Sequence, residues 1–344
     1  MILVGLSVGL LFGALAERTA FSPYDAVREV VAGERRSSAA VVLVAMASAV
    51  AATQFLLVAG HFETTNASYL PARTSLFAVL VGGVLFGVGA VLARGCLTRC
   101  TVRAGTGDLL ALVVILVAGL SAYMTTHGAL SPPRALLHRV LAGDVASIDL
   151  PTRIADMTGI ASATIRVAAI GVAAMAIGVV VLYSRFSREA MYAIGFGPIV
   201  AGAWYLTAEY FADPFEIARP NAVSIAGPLA SAIHCIFDAM RVVPDYGTGL
   251  VAGVLGGAAL SALRRGHFVF VAPVRSRPFA QAAFGGLLMG FGAVTSVGCT
   301  IGQGLSGLSL LSIMAPVALL GMLIGICGAF AWIGVRGGSA LARA

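Results

Sequence analysis

Cys96 and Cys299 each follow a glycine and each close the same fifteen-residue pattern. Gly82 to Cys96 reads G-G-V-L-F-G-V-G-A-V-L-A-R-G-C, and Gly285 to Cys299 reads G-G-L-L-M-G-F-G-A-V-T-S-V-G-C. A thiol is a weak donor and a polarizable contact, so two thiols along a narrow route suit a sulfur-containing anion better than a hard one such as phosphate. The residues just after each cysteine supply partners for the anion's oxygens. The first segment has Thr98, Arg99, Cys100, Thr101 and Arg103; the second has Thr300, Gln303 and Ser306 among Gly302, Gly304 and Gly307. Glycine lets successive backbone N–H groups converge on one anion, and the start of a following helix adds a favourable dipole. As nucleophiles the cysteines could also carry a persulfide or mixed disulfide, but no His or Lys is near in sequence to activate them, and Arg99 is the one nearby cation. The candidate path residues are therefore Gly95, Cys96, Thr98, Arg99, Cys100, Gly298, Cys299, Thr300 and Gln303.

The elements that hold these residues read as two broken helices. Each is a glycine-laddered apolar helix that stops at its cysteine, continues as a short irregular segment (Leu97 to Gly107; Thr300 to Gly307), and re-enters an apolar run. Broken helices in matching places of two halves point to a transporter site near the bilayer midplane. Composition agrees: 59% of the 344 residues are hydrophobic, 11% are charged and the mean hydropathy is +0.96, well outside the soluble globular range. The expected fold class is an all-α polytopic membrane protein, with 42 glycines suited to close helix contact. The net charge of +7 comes from Arg alone, since the chain has no Lys; a GC-rich coding bias is the plain explanation. The N-terminal apolar stretch reads as a first span rather than a cleavable leader, for it lacks a basic start and runs into Glu17 and Arg18. Those two read as an interfacial ion pair. Cys235 and Cys327 read as packed thiols, the histidines suggest no metal site, and neither a cofactor nor a nucleic-acid partner is expected.

Apolar runs long enough to cross about 30 Å of hydrocarbon lie near 2–16, 40–60, 77–94, 107–125, 164–183, 190–209, 247–263, 280–297 and 309–332. With the N-terminus outside, most arginines fall on the inside, among them Arg18, Arg28, Arg35, Arg36, Arg94, Arg99, Arg103, Arg185, Arg188, Arg264, Arg265, Arg275 and Arg277. The positive-inside rule thus favours the N-terminus outside and the C-terminus in the cytoplasm. The Cys96 segment then faces inward, the Cys299 segment outward, and the two halves are inverted copies. The division is 1–125 for the first membrane half, 126–163 for an outer connection with a short amphipathic helix, and 164–344 for the second half. Pro214 to Met240 reads as non-spanning. Gly5, Gly9 and Gly13 resemble Gly249, Gly253 and Gly257, yet their spans run in the same direction, which leaves either generic small-residue packing or a misplaced span.

The run Gly298-Cys-Thr-Ile-Gly-Gln-Gly-Leu-Ser-Gly307, with Gly95-Cys-Leu-Thr-Arg-Cys100 in the other half, resembles the YeeE/YedE family of bacterial sulfur transport proteins. The resemblance implies about nine spans, a pseudo-symmetric hourglass in the inner membrane and a thiosulfate path lined by cysteines, here Cys96 and Cys299. It also implies that a small cytoplasmic TusA-like sulfur carrier is a candidate partner; other members are linked to selenium metabolism. The family pattern has a cysteine after the first span in a stretch like E-R-[ST]-x-F-C. This chain has Glu17-Arg18-Thr19-Ala20-Phe21-Ser22, so Ser22 keeps a hydrogen-bond donor and loses the soft sulfur, and Cys100 is the thiol available to compensate.

The leading expectation is an inner-membrane importer of a small sulfur-containing anion, thiosulfate by the resemblance, and not an enzyme. Its rivals are a membrane sulfurtransfer module with a transient persulfide, a transporter of another anion or a selenium compound, and a structural or sensor subunit. Moving a dianion inward against 100 mV opposes roughly 4.6 kcal/mol, at about 2.3 kcal/mol per charge. Uptake therefore needs ion coupling, a steep inward gradient or rapid consumption inside.

Overall fold

A computed structural model describes residues 1–33, 37–62, 67–70, 74–140, 144–145, 149–184, 187–210, 220–237, 244–271 and 276–336. The helices are α1 (Ile2–Thr19), α2 (Pro23–Ala32), α3 (Ser37–Val58), α4 (Leu76–Leu92), α5 (Leu97–Gly105), α6 (Leu109–His127), α7 (Ser131–Val140), α8 (Leu150–Thr158), α9 (Ser162–Tyr183), α10 (Arg188–Ala193), α11 (Phe196–Tyr210), α12 (Ala226–Phe237), α13 (Tyr246–Arg265), α14 (Ser276–Thr295) and α15 (Met314–Arg336), with a π-helical stretch Gly302–Gly307 before the last. Eight described segments are long and apolar enough to cross a membrane, and Phe279–Thr295 in α14 is a shorter apolar helix. The nine apolar runs of the sequence coincide with α1, α3, α4, α6, α9, α10 with α11, α13, α14 and α15. The chain is a multi-pass, all-α membrane protein. Its lipid-facing surface is written in exposed apolar side chains such as Val167, Val172, Met175, Val179 and Leu182 along α9.

Glycines set the helix pairings by letting backbones touch. Along α4, Gly83 and Gly87 meet the backbone around Gly321 and Gly325 of α15, so these two helices run parallel. Along α14, Gly286 and Gly290 meet the backbone of α6 from Val114 to Ala122, again parallel. The remaining glycines of the repeat join the two copies: Gly82 lies against Gly292 and Ser296, and Gly89 against Gly285, so α4 and α14 cross antiparallel. Gly5, Gly9 and Gly13 of α1 face Gly249, Gly253 and Gly257 of α13 in a parallel pair. That similarity is therefore mutual packing between two spans of one direction, and no span needs to be moved.

Three expectations are corrected. The segments after the cysteines are not irregular: Leu97–Gly105 is α-helical and Gly302–Gly307 π-helical, because enclosed backbone must satisfy its own hydrogen bonds where water cannot. The connection at 126–163 holds two short helices, α7 and α8, rather than one, and its strand β2 (Asp144–Val145) pairs antiparallel with β1 (Thr74–Ser75). Glu17 pairs not with Arg18 but with α13, accepting from Ser261 Oγ at 2.6 Å and facing Arg265 at 3.2 Å. Of the region 214–240 read as non-spanning, 214–219 and 238–240 lie outside the described residues; within it the twelve-residue α12 packs on α6 and α13 and, at about 1.5 Å per residue, is too short to span. Of the arginines used for orientation, Arg35, Arg36, Arg185 and Arg275 lie outside the described residues.

Candidate functional site

The two Gly-Cys turns have one backbone geometry, bond for bond. In the first, Ala93 N–H donates to Gly89 O at 2.9 Å and Gly95 N–H to Ala90 O at 2.9 Å; in the second, Ser296 N–H donates to Gly292 O at 2.8 Å and Gly298 N–H to Ala293 O at 2.7 Å. The residues between, Arg94 and Val297, are left-handed, with φ 56° and 58°. This is a Schellman-type stop, with its six-to-one bond and αL residue. A β-branched side chain at positive φ is a genuine outlier, so Val297 is held there by its surroundings. The next helix begins at once: Cys100 N–H donates to Cys96 O and Gln303 N–H to Cys299 O, both at 2.9 Å. Each cysteine thus sits where one helix has ended and another starts, with the first N–H groups of the new helix around it.

Those turns bring three thiols together. Cys96, Cys100 and Cys299 have no exposed surface. The Cys96 sulfur faces the backbone N–H groups of Arg99 and Tyr24, the Thr300 hydroxyl and Cys299, while Cys100 Sγ donates to Gly95 O at 3.7 Å. Among the described residues three buried polar atoms of the two segments have no hydrogen-bond partner, the hydroxyls of Thr98 and Thr300 and Oε1 of Gln303, the last of these turned towards Gly307. Gln303 is half satisfied, its Nε2 donating to Ser296 O at 2.8 Å. Leaving a buried polar group unpaired costs about 1–3 kcal/mol, so the two threonine hydroxyls that flank Cys96 and Cys299 in sequence are oxygens with unspent hydrogen-bonding capacity. The π-helix fits this, since such stretches occur mostly at functional sites. Ser306 anchors it, donating to Val223 O at 2.6 Å.

On the Cys299 side the turn opens to a cavity of about 850 Å³ lined by Tyr69, Asn221, Ser224, His127, His234 and Gly298, among others. Tyr69 stands at its floor. A Cβ on Gly302 would lie 2.5 Å from the Tyr69 hydroxyl and one on Gly298 3.0 Å from its ring, so both glycines are needed for the ring to close on the turn. Burial, and secondarily Cys299, push the Tyr69 phenol well above its usual pKa, keeping it a neutral donor. His127 and His234 lie side by side in the wall, ring centroids 5.5 Å apart.

On the Cys96 side the surroundings are charged. Arg99 forms an ion pair with Asp25 of α2. Arg103 pairs with Asp108, whose other oxygen caps α6 by accepting from Leu110 and Ala111 N–H at 2.9 and 3.1 Å; Arg103 is a pin for that turn. Ser22 caps α2, its hydroxyl accepting from Asp25 N–H at 3.1 Å. Ser22 thereby fixes the helix start whose Tyr24 N–H faces Cys96.

Of the residues singled out from sequence, Cys96, Cys100, Cys299, Thr98, Thr300 and Gln303 are buried at and just after the two turns, Gly95 and Gly298 form the turns, Arg99 pairs with Asp25, and Ser22 caps α2. Sequence reasoning missed Tyr69, Tyr24 and Asp25. Only Asp25 carried a signal: a carboxylate three residues after Ser22 at a helix start, close to a span.

A family model described as sulphur transport matches residues 18–328. The chain belongs to that sulphur-transport family. It is 27% identical over 333 residues to a protein named thiosulfate transporter TsuA from Spirochaeta thermophila, covering 94% of this chain and 97% of that one. It is also 25% identical over 348 residues to the thiosulfate transporter TsuA of Escherichia coli, covering 95% and 93%. Membership makes this a sulfur transport protein, in agreement with the resemblance carried by the Gly-Cys turns.

Proposed function

We propose that this protein imports thiosulfate across the bacterial inner membrane by non-covalent contact with Cys299, then Cys96, then Cys100. The observation that carries this reading is the gathering of three buried thiols in segments that also hold the unpartnered hydroxyls of Thr98 and Thr300. Thiosulfate has one soft sulfur and three hard oxygens. Thiols suit the first; hydroxyls, and N–H groups at helix starts, suit the second. With the N-terminus outside, the 850 Å³ cavity is the periplasmic vestibule and the Arg99–Asp25 mouth opens to the cytoplasm, where a TusA-like carrier is the candidate acceptor. The two Gly-Cys turns are then inverted copies that reach the midplane from opposite faces, supported by the antiparallel crossing of α4 and α14.

In this reading the solute meets neutral donors first and cations last. Tyr69 is neutral at physiological pH and hydrogen-bonds without adding charge, while Arg99 waits beyond the thiols. Contact is favoured over a persulfide because the groups facing Cys96 are N–H donors, a hydroxyl and a second thiol, none of them a base. Reconstituted protein in liposomes should take up sulfur-labelled thiosulfate, with excess unlabelled thiosulfate competing and sulfate competing at least tenfold more weakly. Equal competition by sulfate would overturn the role given to the soft sulfur.

A further inference from the structure

Arg99 and Asp25 do more than close the proposed path. We infer that Arg99 is a second, inner binding site for the transported anion, and that the Asp25 carboxylate occupies it as a built-in competitor until the anion arrives. The inference rests on the proposed path and adds to it a site and a group that must be displaced. Arg99 touches the path with both ends of its residue. Its backbone N–H faces the Cys96 sulfur, its side-chain stem lies over Gly95 next to Cys100 Sγ, and its guanidinium ends on Asp25. An anion leaving Cys96 for Cys100 therefore comes within reach of the same guanidinium. The planar fork of Arg binds carboxylates and sulfur oxyanions through the same paired N–H geometry, so the two compete directly.

The carboxylate is poorly held apart from this one ion pair. Asp25 is 8% exposed, and its Oδ1 is buried with no partner. A carboxylate left half satisfied in a buried place is costly, and a competitor of that kind yields more readily than a fully bonded one. Several cations share the mouth: Tyr24 lies in the field of Arg28, Arg99 and Arg94, whereas Arg103 is taken up by Asp108. Helix α2, which carries Asp25, also has room to yield. An apolar groove of about 400 Å³ borders another of its faces at Ala26, Val27 and Val30, and reaches Thr300 on its far side. Displacing Asp25 thus frees the helix start whose Tyr24 N–H faces Cys96, so arrival at the inner site and loosening of the central one are coupled.

The competitor relation has a signature that a merely structural ion pair lacks: removing Asp25 must tighten binding. Thiosulfate binding to the purified full-length protein, measured by calorimetry together with Tm, should show an apparent Kd at least threefold lower in Asp25→Asn than in the unmodified protein. Arg99→Gln should weaken binding about tenfold, with Arg99→Lys between, and the double variant Asp25→Asn/Arg99→Gln should match Arg99→Gln, because without the cation there is nothing to compete for. An Asp25→Asn protein that keeps its Tm and binds thiosulfate no more tightly, or less, overturns the inference while leaving thiosulfate as the substrate. An unmodified protein that binds sulfate as well as thiosulfate condemns the proposed selectivity alone. Absence of thiosulfate binding in every variant overturns both.

Discussion

The two Gly-Cys turns share every backbone bond that defines them and differ in the helices they lead into. After Cys96 the chain continues as an ordinary α-helix into a charged mouth, where Arg99, Arg103, Asp25 and Asp108 are paired. After Cys299 it continues as a π-helix rich in glycine beneath a neutral aromatic, Tyr69, at the floor of a wide cavity. One backbone device thus serves two tasks. On the proposed path, the neutral turn admits an anion without holding it, and the charged turn keeps a cation in reserve behind a carboxylate. A route needs weak, successive contacts to let its solute leave as well as enter, and the difference between the copies supplies that gradation.

The comparison can be broken at Gly302. An added Cβ would lie 2.5 Å from the Tyr69 hydroxyl, so Gly302→Ala should cost about 1–3 kcal/mol by overpacking, lower Tm and abolish most uptake. Gly302→Ala with Tyr69→Phe should recover much of the Tm. At the centre, Thr300→Val and Thr98→Val remove hydroxyls that have no hydrogen-bond partner of normal geometry among the described residues. Tm should then hold or rise, since deleting an orphan relieves its desolvation penalty, while uptake falls about tenfold, or about 1.4 kcal/mol. A joint loss of Tm and uptake would mean that these hydroxyls serve the fold.

Smaller effects sharpen the likeness of the turns. Val297 and Arg94 occupy the same left-handed position, where an L side chain costs about 1–2 kcal/mol. Val297→Gly should stabilise by up to about 1 kcal/mol after the entropy of the unfolded glycine is set against it, and Arg94→Gly by less, because Arg is not β-branched. Thermal melts of the two variants give the ranking. The smallest effect is on pH dependence. Tyr69 has its folded pKa raised above the unfolded value of about 10, so the folded state holds its proton more tightly. Its contribution is complete below pH about 10 and is lost as pH rises beyond it. Tm should fall more steeply above that pH in the unmodified protein than in Tyr69→Phe.

The spans were legible in the sequence because long apolar runs leave a membrane chain few alternatives, whereas which spans pair came only from where the glycines bring backbones together. Gly82, Gly83, Gly87 and Gly89 are where backbones touch, and Cys96 and Cys299 are where helices restart. The segment Thr-Ile-Gly-Gln-Gly-Leu-Ser-Gly at 300–307 was not legible as helix, since glycine disfavours one and only enclosure overrides that preference. Long-range partners were equally hidden. Glu17 next to Arg18 reads as a local pair, yet it reaches Ser261 and Arg265, and nothing near Arg99 in the sequence names Asp25. Tyr69 carries no signal of its own, because its role comes from where two glycines let it rest.

The most direct test of the central claim is uptake of sulfur-labelled thiosulfate into cells lacking other importers of it, comparing the unmodified protein with Cys96→Ala, Cys299→Ala and Cys100→Ala at matched membrane abundance. The account predicts loss of uptake with either of the first two, and a weaker defect with the third. Undiminished uptake after removal of both Cys96 and Cys299 would contradict it.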